Sequence, residues 1–263
     1  MNLSAPKKML NSAIRKLSGL RVVVVGASSG IGLQVAETLA AAGVRVGLAA
    51  RRTGPLAELR QKYPGAVEYA AIDVNHAEAP ARLETLVKAL GGMDVYFHVA
   101  GVGFRNDALD PGLEADVIAA NAAGFARMLA AAYDYFRRNG GRGRIAAVTS
   151  VAGTKGIGSM AAYSASKRCA QTYMQALEQL AREEGVEVEF TDIRPGWIDT
   201  PLLTPGTSHA LEMTPQYAVP RIIRALAGHR RVAVIDWRWR IVVALWRLLP
   251  SWLWVRMRVK ISI

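Results

Sequence analysis

The sequence predicts an α/β fold, a doubly wound parallel sheet in a single domain with a C-terminal extension. Three observations predict it. Short β-branched runs alternate with segments of helical apolar spacing; several of those runs end at Gly, Asp or Ser; and 263 residues, 51% of them hydrophobic, fill one core of this kind but would crowd two. Strands that alternate with helices need crossover connections, and right-handed crossovers give a parallel sheet covered on both faces.

Residues 21–25 are a valine run that stops at Gly26, and residues 31–42 then place apolar side chains at helical spacing, a strand–turn–helix unit. Further strands are expected at 44–50, 67–72 ending near Asp73, 94–99 ending at Ala100-Gly101, 144–149 ending at Ser150, and 186–193 ending at Arg194-Pro195-Gly196. Helical segments are expected at 55–62, 78–90, 113–137, 161–184 and 215–226, followed by a short strand at 232–235. This divides the chain into a basic segment 1–20, a catalytic domain 21–236 and an extension 237–263. In such a sheet ligands lie beyond the carboxyl ends of the strands, so the strand-end residues are the candidates for function.

Gly26, Ser28, Ser29, Gly30, Ile31 and Gly32 lie between the first strand and the first helix. There glycines allow a tight turn and close approach of a pyrophosphate to backbone N–H groups, and the helix N-terminus favours the anion. A fold of this kind that selects NAD places a carboxylate at the end of the second strand to bind the ribose 2′-hydroxyl; here that end reads Ala49-Ala50-Arg51-Arg52. Two guanidiniums suit a 2′-phosphate, so NADP(H) is the expected cofactor. Asp73, before Val74, is a candidate partner for the adenine amino group and equally a candidate cap for the next segment.

Ser150 ends the fifth strand, and Tyr163 and Lys167 stand at the i, i+4 spacing that shares one helix face. An ammonium beside a phenol is expected to favour phenolate and lower its pKa. The phenol could then exchange a proton with a carbonyl or carbinol oxygen, which the Ser150 hydroxyl would also bond.

Taken together, Gly26-x-x-x-Gly30-x-Gly32, Asp73-Val74, Ala100-Gly101, Asn121, Ser150, Tyr163-x-x-x-Lys167 and Pro195-Gly196 resemble the short-chain dehydrogenase/reductase family over roughly residues 20–200. The resemblance implies a Rossmann fold and an NADP-dependent oxidoreductase. It makes Tyr163 the general acid/base, Ser150 the carbonyl-orienting group, Lys167 a phenol activator and ribose ligand, and Asn121 a support for the lysine's proton relay. Pro195, Gly196, Ile198 and Thr200 would meet the nicotinamide. Two positions depart from the family pattern: Val25 stands where Thr usually begins the glycine motif, and His98-Val99 where Asn-Asn usually precedes Ala-Gly. His98 reads as a structural imidazole before it reads as a proton donor. No metal-ligand set is assigned.

The net charge of +12 is concentrated at the ends. Residues 1–21 carry five Lys/Arg and no acid, and residues 221–263 carry ten against Asp236 alone, which leaves the rest of the chain slightly acidic. Five of the six tryptophans fall in residues 237–254, yet the longest charge-free run there, 248–255, is far short of the roughly 18–20 residues that cross a bilayer. Trp, Leu and Arg together suit a headgroup boundary, and Leu10, Ile14 and Leu17 share one helical face beside Lys7, Lys8, Arg15 and Lys16. Both ends are therefore expected to anchor the protein peripherally to an anionic membrane surface; packing of the tail on its own domain or on a second subunit is the other reading. Residues 255–263 alternate like a strand. Cys169 stands alone, so no internal disulfide is expected, and with no signal-peptide pattern the expected setting is the cytoplasm.

The expected substrate is an apolar ketone/alcohol pair of lipid-like length, and the expected assembly a homodimer. A redox-sensing NADP-binding protein without turnover is the alternative, disfavoured by the intact Ser, Tyr, Lys and Asn set. Nucleic-acid binding is disfavoured by the near-neutral core and the apolar tail. The segments expected to line the substrate pocket, 153–162 and 201–213, offer no distinctive polar group.

Overall fold

A computed structural model of the chain describes residues 4–201, 203 and 209–257. Its elements in order are α1 (Ser4–Leu17), β1 (Arg21–Val25), α2 (Gly30–Ala41), β2 (Arg45–Ala50), α3 (Gly54–Lys62), β3 (Val67–Ala71), α4 (Ala79–Leu90), β4 (Val95–His98) and α5 (Pro111–Ile118). After a π-helical turn (Ala119–Gly124) come α6 (Phe125–Arg138), β5 (Arg142–Val148), two short 3-10 turns (Val151–Thr154 and Gly158–Met160), α7 (Ala161–Glu183) and β6 (Glu187–Arg194). The chain continues through α8 (Pro215–Leu226), β7 (Val232–Val234), α9 (Trp237–Leu248) and α10 (Ser251–Trp254).

Among the described residues seven strands form one sheet in the order β3-β2-β1-β4-β5-β6-β7, each pair parallel. The order reverses between β1 and β4, which opens a crevice at their carboxyl ends. The valines of β1 show why both faces are covered. Successive side chains of a strand point to opposite faces; Val22 and Val24 join a core with α2 and α8, while Val23 and Val25 join another with α4 and α6.

The segment 113–137, expected as one helix, is interrupted by the π turn that carries Asn121. Gly124 in that turn packs on Val74 so closely that a Cβ would sit 2.8 Å from the valine side chain. β5 begins at Arg142, two residues ahead of expectation, because Arg142 and Gly143 already pair with Glu187 and Val188.

Both chain ends pack on the domain. On α1, Ala13 and Leu17 are buried, and Leu10 and Ile14 pack against the same core as α8. The apolar stripe expected to seek a membrane is therefore occupied. Arg21, counted among the N-terminal basic residues, pairs with Asp94 at 2.8 Å. In the tail, Asp236 caps α9 by accepting from the Arg238 N–H at 2.8 Å, and Trp239 and Val243 are buried in the sheet's own core. Val255–Met257, expected to begin a strand, instead extend the turns of α10, with Val255 N–H donating to Ser251 O at 3.1 Å. The rest of that expected strand, with Arg258 and Lys260, lies outside the described residues, as do residues 1–3, and 202 and 204–208 of the expected pocket segment.

Candidate active site

One cavity of about 1110 Å³ runs along the carboxyl ends of the strands. At one end lies the glycine turn. Gly26 adopts φ +96°, a conformation that favours glycine, and any Cβ there would overlap the backbone N of Ala100. Gly32 is packed against the carbonyl of Gly26 and stands behind the cavity wall, whereas Gly26, Ser28, Ser29, Gly30 and Ile31 line it.

Arg51 and Arg52 line the same end, exposed, with no hydrogen-bond or ion-pair partner among the described residues. Asp73 and Val74 face it from the end of β3. One Asp73 oxygen accepts from the Asn75 N–H at 3.0 Å and closes a turn in the loop, but it does not cap α4, whose N-cap is Glu78; its other oxygen lies 3.9 Å from His76. Ala100 and Gly101 complete the floor beyond β4.

In the middle stand Ser150, Tyr163 and Lys167. Ser150 Oγ accepts from the Ala152 N–H at 3.0 Å, and its O–H is within reach of the Tyr163 hydroxyl. Gln171 donates to the Ser150 carbonyl at 2.8 Å and fixes the strand end. The Tyr163 ring lies on Gly103, where a Cβ would be 2.8 Å from the ring. Lys167 Nζ donates to Val148 O at 3.2 Å and sits 5.6 Å from the centre of the Tyr163 ring. Asn121 does not line the cavity. It lies beneath it, accepting from the Val102 N–H at 2.8 Å and donating to Val102 O at 2.6 Å and to Ser166 at 3.2 Å. A Cβ on Gly101 would come 3.0 Å from Asn121 Oδ1 and 3.3 Å from Lys167 Nζ, so Asn121 and Lys167 meet across this glycine.

The electrostatics correct one expectation. Burial pushes the Tyr163 phenol up, with Ser150 opposing, and burial lowers the Lys167 ammonium to about 8, with Asp192 opposing. Desolvation disfavours the charged form of both groups, and at this ring separation it outweighs the ammonium's pull on the phenol. Burial thus favours the neutral phenol form of Tyr163. His98 is fully buried, its Nδ1 is 2.9 Å from the Tyr96 hydroxyl, and it meets Phe125 edge-on at 4.9 Å. Burial, then the Lys167 charge, takes its pKa to about 3, so it is a neutral structural ring.

At the far end Pro195, Gly196, Ile198 and Thr200 line the cavity beside an aromatic wall that sequence reasoning missed. Trp239 is seated on Gly196, whose missing side chain makes the room. Trp246 Nε1 donates to Thr154 Oγ1 at 2.8 Å, Trp254 Nε1 to Gly156 O at 2.7 Å, and Lys155 Nζ to Leu249 O at 2.8 Å. These three bonds clamp the tail to the loop that follows Ser150. Ile157, Met160, Trp197 and Leu211 add further apolar surface.

A family model described as short chain dehydrogenase matches residues 21–210. The chain belongs to that family. Among the relatives of this short chain dehydrogenase, an uncharacterized oxidoreductase of Mycobacterium tuberculosis is 31% identical over 246 residues, 88% of this chain and 94% of the other. One from Myxococcus xanthus is 37% identical over 193 residues, covering 71% and 75%. Of solved structures, a Burkholderia cenocepacia short chain dehydrogenase in complex with NADP superposes with TM-score 0.78 at 22% identity, covering 93% of this chain and 99% of the other. An alcohol dehydrogenase from Thermococcus sibiricus complexed with 5-hydroxy-NADP gives 0.68 at 27% identity, covering 81% and 94%.

Proposed function

We propose that this chain is an NADPH-dependent oxidoreductase that interconverts a ketone and a secondary alcohol in a long, apolar, lipid-like molecule, with Tyr163 as general acid/base. The observation that carries this reading is the placement of Ser150, Tyr163 and Lys167 between a glycine-floored cleft and a wall of tryptophans in one cavity.

The cleft fits the cofactor. Gly26, Ser28, Ser29, Gly30 and Ile31 would hold the pyrophosphate at the N-terminus of α2, where the added bulk of any Cβ at Gly26 is excluded. Arg51 and Arg52, without protein partners, would hold the 2′-phosphate, Asp73 and Val74 the adenine, Ala100, Gly101, Tyr163 and Lys167 the ribose, and Pro195, Gly196, Ile198 and Thr200 the nicotinamide side. Two structural neighbours described as holding NADP and 5-hydroxy-NADP support the same choice. When bound, NADPH supplies a hydride.

The chain's own part is proton delivery and orientation. Tyr163, kept neutral by burial, donates its proton to the carbonyl oxygen as charge develops there, and the Ser150 O–H beside it bonds the same oxygen. Lys167, with its pKa near 8, can return a proton toward the phenol, and Asn121 holds the Val102 backbone beneath it.

The outer face of the tail supports attachment to an anionic lipid surface. Trp237, Ile241, Leu245, Leu248, Trp252 and Val255 are exposed, and residues 237–257 hold four arginines and no acid. No helix among the described residues is long and apolar enough to cross a membrane. Ketones of graded chain length, offered with NADPH and with NADH, test the activity; efficiency should rise with chain length and with NADPH. Sedimentation with anionic vesicles at low salt tests the surface. A protein left in the supernatant as a dimer would assign the exposed face to a second copy instead.

A further inference from the structure

We infer that Glu114 is a positioning residue for proton transfer, its carboxylate holding both the helix turn that carries Tyr163 and the loop that packs on the Tyr163 ring. The inference rests on the ketone reductase reading above. Tyr163 lies in the first turn of α7. The first N–H groups of a helix find no partner inside it, and Met160, at the N-cap of α7, makes no side-chain bond to them. Glu114 of α5 supplies an acceptor instead: its Oε2 takes the Ala162 N–H at 2.9 Å, one residue ahead of Tyr163. A carboxylate suits this place twice, as an acceptor and as a negative charge at the positive end of a 23-residue helix.

The other oxygen of Glu114 holds the loop. Oε1 accepts from Asn106 Nδ2 at 2.9 Å, and Asn106 is buried. Every polar group of Asn106 is bonded. Its Oδ1 accepts from the Asp110 N–H at 2.9 Å, and its Nδ2 also donates to Asp110 O at 3.0 Å. Its N–H donates to Ser159 O at 2.9 Å, just ahead of α7, and its carbonyl accepts from the Leu109 N–H at 3.2 Å. Leu109 takes φ +51° in this turn, a left-handed conformation unfavourable for a leucine, which the surrounding bonds hold in place. Three residues ahead of Asn106 stands Gly103, on which the Tyr163 ring lies.

One side chain thus ties the backbone beneath the phenol to the loop above its ring. A carboxylate can do this because it offers an acceptor oxygen to each of two N–H donors, whereas an amide offers one acceptor and one donor group. Glu114 is not among the residues that line the cavity, so it acts through Tyr163 rather than on the substrate. Proton transfer needs the phenol within hydrogen-bond reach of the carbonyl oxygen, and a displacement of about 1 Å can cost about a hundredfold in rate. The bonds of Glu114 and Asn106 include no residue of the glycine turn, so the cofactor cleft is left out of this linkage.

Glu114→Gln, close to isosteric, tests the inference in the full-length protein with NADPH and a long-chain ketone. The variant turns a donor toward one of the two N–H groups, so kcat should fall by about tenfold to a hundredfold with KM nearly unchanged. The solvent deuterium isotope effect on kcat should rise as proton delivery becomes the slow step, while NADPH affinity by fluorescence titration stays close to wild type. A merely structural role would instead lower the melting temperature and the fraction of active enzyme and leave the isotope effect where it was. Should Glu114→Gln fail to fold, Asn106→Ala, which empties only the loop side of the carboxylate, should give the same pattern at smaller amplitude. A second readout needs no turnover: with the tyrosine rings isotopically labelled for NMR, the Tyr163 resonances, assigned from Tyr163→Phe, should shift in Glu114→Gln. If the wild-type protein reduces no ketone, the reductase reading fails, and these resonances alone decide whether Glu114 sets the position of Tyr163. A normal kcat in Glu114→Gln, an unchanged isotope effect, or Tyr163 resonances that stay in place would overturn the inference.

Discussion

The two ends of the cavity are assembled on different length scales. At the glycine end every lining residue sits within a few positions of the carboxyl end of β1, β2, β3 or β4, so the sheet itself places it. At the tryptophan end the walls come from stretches as far apart in sequence as Thr154 and Trp246, or Gly156 and Trp254, joined by side-chain bonds. The first kind of site is a property of the sheet's topology. The second is made by tertiary packing and can vary without disturbing the first.

Tyr163→Phe separates the chemistry from both ends and carries the largest expected effect. Ketone reduction should fall by about 10²- to 10⁴-fold while NADPH binding, followed by fluorescence titration, stays close to wild type. Near-normal turnover would mean that another group gives the proton.

Arg51→Asp probes the glycine end alone. Losing a charge-assisted bond and adding a carboxylate should weaken NADPH by about tenfold to a hundredfold and invert the preference toward NADH, with selectivity among ketones unaltered. An unmodified protein that already binds NADH as well as NADPH would refute the assignment.

Trp246→Ala probes the tryptophan end alone. Removing one wall of the pocket should lower the ratio of kcat/KM for the longest over the shortest ketone by roughly tenfold, with NADPH affinity retained. If cofactor affinity fell in step with that ratio, the two ends would not be separable.

The smallest effect is on stability. Lys167 has a folded-state pKa of about 8 against 10.5 when unperturbed. Between those values the unfolded chain holds more protons on this amine, so unfolding free energy should rise with pH there, by at most about 1.4 kcal/mol per pH unit. His98, at about 3 against 6.5, acts in the same direction on the acid side: stability is lost as pH falls from 6.5 toward 3. Denaturant titrations of Lys167→Met across the alkaline range should show the first slope removed.

The same contrast explains what could be read in the sequence. Gly26, Arg51, Asp73, Ser150, Tyr163 and Lys167 were legible as residues of one cleft because strand ends and i, i+4 spacing are local patterns. The sheet was legible for the same reason. The π turn at Asn121 was not, since Ala119–Gly124 consists of small residues and one asparagine, which mark neither face of a helix and so hide the extra residue. Trp239, Trp246 and Trp254 were not legible as pocket residues, because nothing in their spacing says which loop they meet. The direction of the Tyr163 shift was missed because sequence shows the neighbouring lysine but not the burial around both groups.

The clamp between the tail and the loop at 154–156 also sets an order of events during synthesis. Chains emerge from the ribosome N-terminus first, and their earlier parts can fold while later ones are still being made. All the strand ends of the glycine cleft precede residue 102, whereas the bonds that close the opposite wall need Trp254. A nascent chain stalled just short of Trp237 would therefore be expected to retain NADPH on a nucleotide-affinity resin while leaving the apolar side of Tyr163 open to water. The wall on the apolar side of Tyr163 would thus close later in synthesis than the cofactor cleft.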